Sequence, residues 1–159
     1  MVEKETLEKI EFLKDLPDHI LEKIGSIARI SEYGEEQILF RQNEIQTVLY
    51  MLVSGKVFLN SRAGTGQSLT LDAVYPGRTF GVPALLKESY GTFSAICAEP
   101  CTMITIQARE MRQLFRGDFE SGYILMRRVV ELFKIRGEMH THQFLHSLKT
   151  HPEIKKFQD

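Results

Sequence analysis

Two groups of residues have spacings with chemical meaning. His140, His142 and His146 crowd one stretch near the carboxy end, and the four-residue step from His142 to His146 sets two imidazoles on one face of a helix. No glutamate follows His142 as a zinc-protease pattern would need, so a third ligand would have to come from Glu138, a second subunit or a distant loop. The alternative is a solvated helix end, and no metal is assigned. Cys97 and Cys101 flank a Glu-Pro turn, which predicts adjacent strands carrying two reduced thiols. A lone C-x3-C pair is too few ligands for zinc or an iron–sulfur cluster. No nucleophile elbow, P-loop, paired carboxylates or Ser-His-Asp arrangement can be made out, so the chain reads as a non-enzyme.

The remaining candidate is the run Phe80, Gly81, Val82, Pro83, Ala84, Leu85, followed ten residues on by Thr92, Phe93 and Ser94. A glycine ahead of a proline-started turn exposes backbone N–H groups that can hold an anion. The same residues could instead turn the chain and bury Leu85 and Leu86. Tyr90, Phe93 and Cys97 make an apolar surround suited to a neutral or aromatic molecule, unless the rings fill the space themselves.

These residues need a scaffold. A chain of 159 residues, 43% apolar and 26% charged, is one ordinary domain with enough core to fold without disulfides. No run of about 18 apolar residues is present and the amino terminus lacks a signal pattern, so a cytoplasmic address is expected. Net charge is −1 from 20 basic and 21 acidic residues spread along the chain, which argues against direct nucleic-acid contact.

Leu7, Ile10, Leu13 and Leu16 recur at three-residue steps before Pro17, predicting a short amphipathic helix over 5–16. Ile20, Leu21, Ile24 and Ile27 predict a second. From Ser31 to Gln107 the pattern becomes β-branched and aromatic, in segments such as VLYMLVS, KVFLN, SLTLDAVY, FSAICA and CTMITIQ. Turn residues, among them Ser54-Gly55, Ala63-Gly64-Thr65-Gly66 and Pro76-Gly77, separate them. That spacing fits an antiparallel sandwich or barrel. Helical periodicity returns over 108–117 and again, for the longest segment, over 119–148. No repeat, linker or domain boundary is seen.

This order of elements resembles the cyclic-nucleotide-binding domain of the catabolite-activator type. Phe12-Leu13 to Leu16-Pro17, Ile38 to Glu44, Tyr50 to Val57 and Pro76 to Gly81 carry the resemblance, which covers nearly the whole chain. It implies an α+β fold: an antiparallel β-roll (a jelly roll) over 31–107, short helices over 1–30 and carboxy-terminal helices over 108–148, with a phosphate cassette near 80–98. It implies a regulatory ligand sensor for signal transduction, taking cyclic AMP, cyclic GMP or another small molecule at Phe80–Leu85 and Thr92–Ser94. The family's glutamate after Phe-Gly and its arginine about ten residues later are matched here by Val82 and, by ungapped alignment, Thr92. Both charges are absent, so weak or non-standard nucleotide affinity is expected.

The long helix carries Tyr123, Met126, Val130 and Phe133 on an apolar stripe wider than one barrel covers, and the resemblance implies a homodimer through it. About eleven residues follow Leu148, too few for a helix-turn-helix domain. Three readings stay open: a ligand sensor, a ligand-free dimerisation or docking module, and the sensor half of a longer DNA-binding regulator.

Overall fold

Segments rich in apolar, β-branched and aromatic residues, separated by turn residues, are what close this chain into a roll. In the computed structural model, which describes residues 1–62 and 66–150, eight strands form two antiparallel four-stranded sheets. They are β1 (Ala28–Tyr33), β2 (Ile38–Phe40), β3 (Val48–Ser54), β4 (Val57–Arg62), β5 (Ser68–Val74), β6 (Thr79–Phe80), β7 (Ser94–Cys97) and β8 (Cys101–Gln107). One sheet runs β1-β8-β3-β6, the other β2-β7-β4-β5. Val57 and Leu59 of β4 point inward and are buried, while Phe58 and Asn60 stand on the opposite face, as a two-residue period requires. Tyr50, Leu52 and Met103 from the first sheet meet Leu59, Val74 and Ala95 from the second in one apolar core. This is the α+β β-roll that the sequence predicts. Three of the four residues of the expected turn at 63–66 lie outside the described residues.

The chain divides into two compact units, Met1–Ser121 and the part from Gly122 onward. In the first unit the expected helix over 5–16 is broken. A four-residue helix α1 (Lys4–Leu7) gives way to a 3-10 turn at Glu11–Leu13. The reason lies in the three-residue step: residues at i and i+3 eclipse on a 3-10 path, and Leu7, Ile10, Leu13 and Leu16 are all buried. The Glu11 N–H leaves the helix to donate to the Gly77 carbonyl at 2.9 Å, and Asp15, at φ +58, turns the chain. Helix α2 (Asp18–Ile27) follows as expected and runs straight into β1, three residues earlier than the sequence marks the first strand.

Helix α3 (Ala108–Gly117) ends at Asp118, and α4 (Phe119–Thr150) begins there. Asp118 makes the joint: its carboxylate accepts the Ser121 amide at 3.1 Å and the Ser121 hydroxyl at 2.7 Å, and pairs with Lys23 of α2. The Lys23 ammonium first, then the two Ser121 donors, hold this carboxyl far below the usual range. Among the described residues no helix is long and apolar enough to cross a membrane.

Cys97 and Cys101 depart from the expected placement. They end β7 and begin β8, which belong to different sheets, so the Glu-Pro turn crosses from one sheet to the other. Both thiols are free and buried.

The β3–β4 hairpin depends on that crossing. Gly55 has φ +98, and a Cβ there would lie 2.6 Å from both Cys101 Sγ and the Pro100 carbonyl oxygen. Gly55→Ala therefore combines left-handed backbone strain with a clash against main chain, and we expect it to cost about 2–4 kcal/mol. Gly34→Ala, where a Cβ meets nothing within 4 Å, is the control and should change stability by under about 0.5 kcal/mol. Urea unfolding checks both, and equal midpoints for the two variants would refute the account of the hairpin.

Candidate ligand-binding site

β6 delivers Phe80 into the roll and Gly81 turns the chain out of it. Gly81 sits at φ +73, and a Cβ there would come 2.8 Å from the Val48 carbonyl oxygen and 3.2 Å from Tyr50 Cδ2. Only glycine satisfies both demands. A 3-10 turn follows at Val82–Leu85, with Val82, Ala84 and Leu85 buried. Its power as an anion cradle is low. Pro83 has no N–H, and the Ala84 N–H already donates to the Gly81 carbonyl at 3.1 Å. The turn is tied to α3 by Arg112, whose Nη1 donates to the Ala84 carbonyl at 2.8 Å.

The interior beside this turn is occupied by the chain's own rings. Tyr50 and Phe80 stack at 5.2 Å between centroids with 12° between planes. Phe40 lies 5.9 Å from Tyr50, 6.2 Å from Phe80 and 6.4 Å from Phe93. Of the aromatic residues that the sequence groups at a pocket mouth, Phe93 and Cys97 are buried in this cluster, while Tyr90 is exposed and bridges to Ile45.

The structure changes the residue that faces inward opposite Val82. Thr92 is exposed, and Ser94 stands on the outer face opposite Asn60, its hydroxyl accepting the Gln42 N–H at 2.8 Å. Between them Phe93 turns into the roll. The two positions that bracket the cassette are therefore both apolar, Val82 and Phe93, with Thr92 facing away. Of the nearby basic residues, Lys87 and Arg78 are exposed, and Arg62 lines the outer face of the second sheet.

Burial in this apolar interior, reinforced by Tyr33 and Cys97, pushes the Tyr50 hydroxyl up to about 12. The Cys97 thiol is likewise pushed up to about 12, first by burial and then by its neighbour Cys101. The interior disfavours charge.

Two residues escape a sequence reading. Arg112 looks like an ordinary solvated helix arginine until its bond to the cassette is seen. Gln46 is only 5% exposed, and neither end of its amide has a hydrogen-bond partner among the described residues. It packs against Gly91, where a Cβ would overlap the amide nitrogen, and Gln46 N–H donates to the Ser89 carbonyl at 3.1 Å. The far edge of the cassette is thus fastened to the β2–β3 loop, a contact that no local pattern announces.

His140, His142 and His146 are exposed on α4, and among the described residues no three metal-binding side chains come together. On the same helix Tyr123, Val130 and Phe133 are 70%, 64% and 45% exposed, and Met126 is half-buried. Their three- and four-residue steps place them along one face.

The family described as the cyclic nucleotide-binding domain matches residues 30–118, more than half of the chain. The cyclic AMP receptor protein of Thermus thermophilus is 33% identical over 87 residues, which cover 55% of this chain and 37% of that one. Human cGMP-dependent protein kinase 2 is 26% identical over 115 residues, covering 72% of this chain and 15% of that one. The chain thus spans well under half the length of these two relatives. A cyclic nucleotide-binding domain from Methylobacillus flagellatus shares the fold, with a TM-score of 0.79 at 15% identity over 90% of this chain and 80% of that one.

The raised Tyr50 and Cys97 values carry a sign. Because the folded values lie above the unfolded ones, the stability they lend is full below the ordinary ionisation range of roughly pH 8.5–10 and is lost as pH climbs toward about 12. We expect the urea midpoint to hold between pH 7 and 8 and to fall beyond about pH 9. Tyr50→Phe should remove part of that fall. A variant profile parallel to the wild type across the alkaline range would show that Tyr50 is not a cause.

Proposed function

This chain belongs to the cyclic nucleotide-binding domain family, and we propose that it acts as a cytoplasmic regulatory sensor module, not as an enzyme. A small molecule entering the roll beside Gly81 displaces the Phe93 ring and shifts the Val82–Leu85 turn, which draws α3 with it. The observation that carries this reading is the Arg112 bond to the Ala84 carbonyl, 2.8 Å long. A buried turn cannot move without stretching that bond or dragging the helix.

Cyclic AMP and cyclic GMP are weak ligands in this proposal. The glutamate and arginine implied by the family resemblance are matched by Val82 and Thr92, and the residue beside Thr92 that turns inward is Phe93, so neither charge is present; charged hydrogen bonds are worth roughly 1.5–3 kcal/mol each. Two lost contacts weaken binding by about two to four powers of ten. The rings of Phe40 and Phe93 also stand where a ligand body would go. That filling supports a second reading, a ligand-free dimerisation or docking module. A third, the sensor half of a longer DNA-binding regulator, is supported by the 37% of the bacterial relative that the chain spans.

Calorimetry tests the ligand argument. Wild type should bind cyclic AMP and cyclic GMP no more tightly than about 100 µM. Val82→Glu with Phe93→Arg, checked for folding by thermal melt, should tighten binding at least tenfold, with neither single change sufficing. A wild-type dissociation constant near 1 µM would overturn the proposal, and a folded double variant without any gain would favour the docking reading.

We also propose that the protein is a homodimer through α4, because Tyr123, Val130 and Phe133 leave an apolar face open. Light scattering at tens of micromolar should give twice the mass of the chain. Val130→Glu and Phe133→Glu should each shift it toward monomer, and a monomeric wild type would refute the interface.

A further inference from the structure

The outer face of the second sheet carries a cleft of about 580 Å³, on the side of the sheet away from the aromatic cluster. Its floor is Ile38 and Ile96, paired across β2 and β7, with Asn60 of β4 paired to Ser94 beside them. Arg41 and Asn43 form one wall, and Arg62 and Ser68, at the ends of β4 and β5, form the other.

The walls are held to each other. The Gln42 side-chain oxygen accepts the Arg62 N–H at 2.8 Å, and the Gln42 N–H donates to Ser94 Oγ at 2.8 Å. The wall at 41–44 is itself a tight turn, with the Glu44 N–H on the Arg41 carbonyl at 3.3 Å and Asn43 at φ +65. Gln42 thus fixes the spacing of the two arginine-bearing segments without using either guanidinium.

Charge is one-sided in this cleft. Among the described residues no acidic side chain lines it, and neither Arg41 nor Arg62 has a salt-bridge partner. Two guanidinium forks over a partly apolar floor match a small molecule with a doubly acceptor head and an apolar or planar body. The volume lies within the range of small-molecule sites. Amide and hydroxyl groups on the floor and walls supply neutral hydrogen bonds for the rest of such a ligand.

We propose that this cleft binds a phosphorylated small molecule, with Arg41 and Arg62 on the phosphate and Ile38 and Ile96 under its body. The site faces away from Gly81 and Phe93, so it is separate from the interior pocket of the proposed sensor, and either can fail without the other.

The test is titration of the full chain with adenosine 5′-monophosphate, glycerol 3-phosphate, inorganic phosphate and adenosine, followed by calorimetry and amide NMR. At least one organic phosphate should saturate with a dissociation constant between roughly 0.05 and 5 mM, weakening as salt rises. Adenosine should bind at least tenfold more weakly than its monophosphate. Inorganic phosphate that binds as well as the organic phosphates would identify free phosphate as the species read by the same two arginines. Shifts should centre on Asn43, Asn60 and Ser94. Arg41→Gln and Arg62→Gln change exposed side chains, so folding should persist, and each should weaken binding about tenfold. The proposal is overturned if none of the three phosphates saturates by about 10 mM, if the arginine double variant binds as wild type does, or if the shifts centre on Val82–Leu85 instead.

Discussion

The constraint on which the interior depends is the approach of main chain and rings to Gly81. Because that residue has no side chain, the Val48 carbonyl and the Tyr50 ring come within 3.2 Å of where its Cβ would be. Phe40, Phe80 and Phe93 then complete a contiguous aromatic filling. Much else follows from that filling: the low-dielectric interior, the neutral Tyr50 hydroxyl and Cys97 thiol, and the burial of Val82. Aromatic packing of this kind is worth more than its area alone, so displacing one ring requires a ligand that replaces most of its contacts.

The two faces of each strand divide the work. Inward residues of β4 and β7 make the core, and their outward neighbours make surfaces with chemistry of their own. Lys56 lies 5.8 Å from the Phe58 ring centroid and 5.7 Å from that of Tyr75, so two exposed rings on this side share one cation. Beside that apolar end lies the cleft that begins at Asn60 and Ser94 and carries Arg41 and Arg62 on its walls. The cassette belongs to neither face. It hangs between Arg112 on one side and the Gln46–Gly91 packing on the other, held by side chains far away in the sequence.

The strands were legible because β-branched and aromatic residues concentrate between turn residues, and VLYMLVS and CTMITIQ appear as β3 and β8 with the bounds expected. The break between α1 and the 3-10 turn was less legible. A three-residue apolar step satisfies a helix template nearly as well as a 3-10 one, and the deciding hydrogen bond from Glu11 goes to Gly77, far along the chain. At the cassette, an ungapped count put Thr92 opposite Val82. In an extended segment a shift of one residue exchanges faces, so Phe93 took the interior and Thr92 the solvent. Arg112 and Gln46 were illegible for a different reason: their roles lie in tertiary contacts, and neither sits in a pattern that favours arginine or glutamine.

Cys97 and Cys101 have a practical consequence beyond the fold. Thiolate, not thiol, is the species that reacts with alkylating reagents. Cys97 is fully buried with its thiol pushed up to about 12, and Cys101 is buried with its Sγ close to the Lys56 and Glu99 carbonyls. To a maleimide the folded chain is effectively free of cysteine. Cysteines placed at Glu131 and Glu138, both exposed on α4, can therefore take fluorophores or spin labels while the native pair is left in place, and distances along that helix can be read without first rebuilding the core.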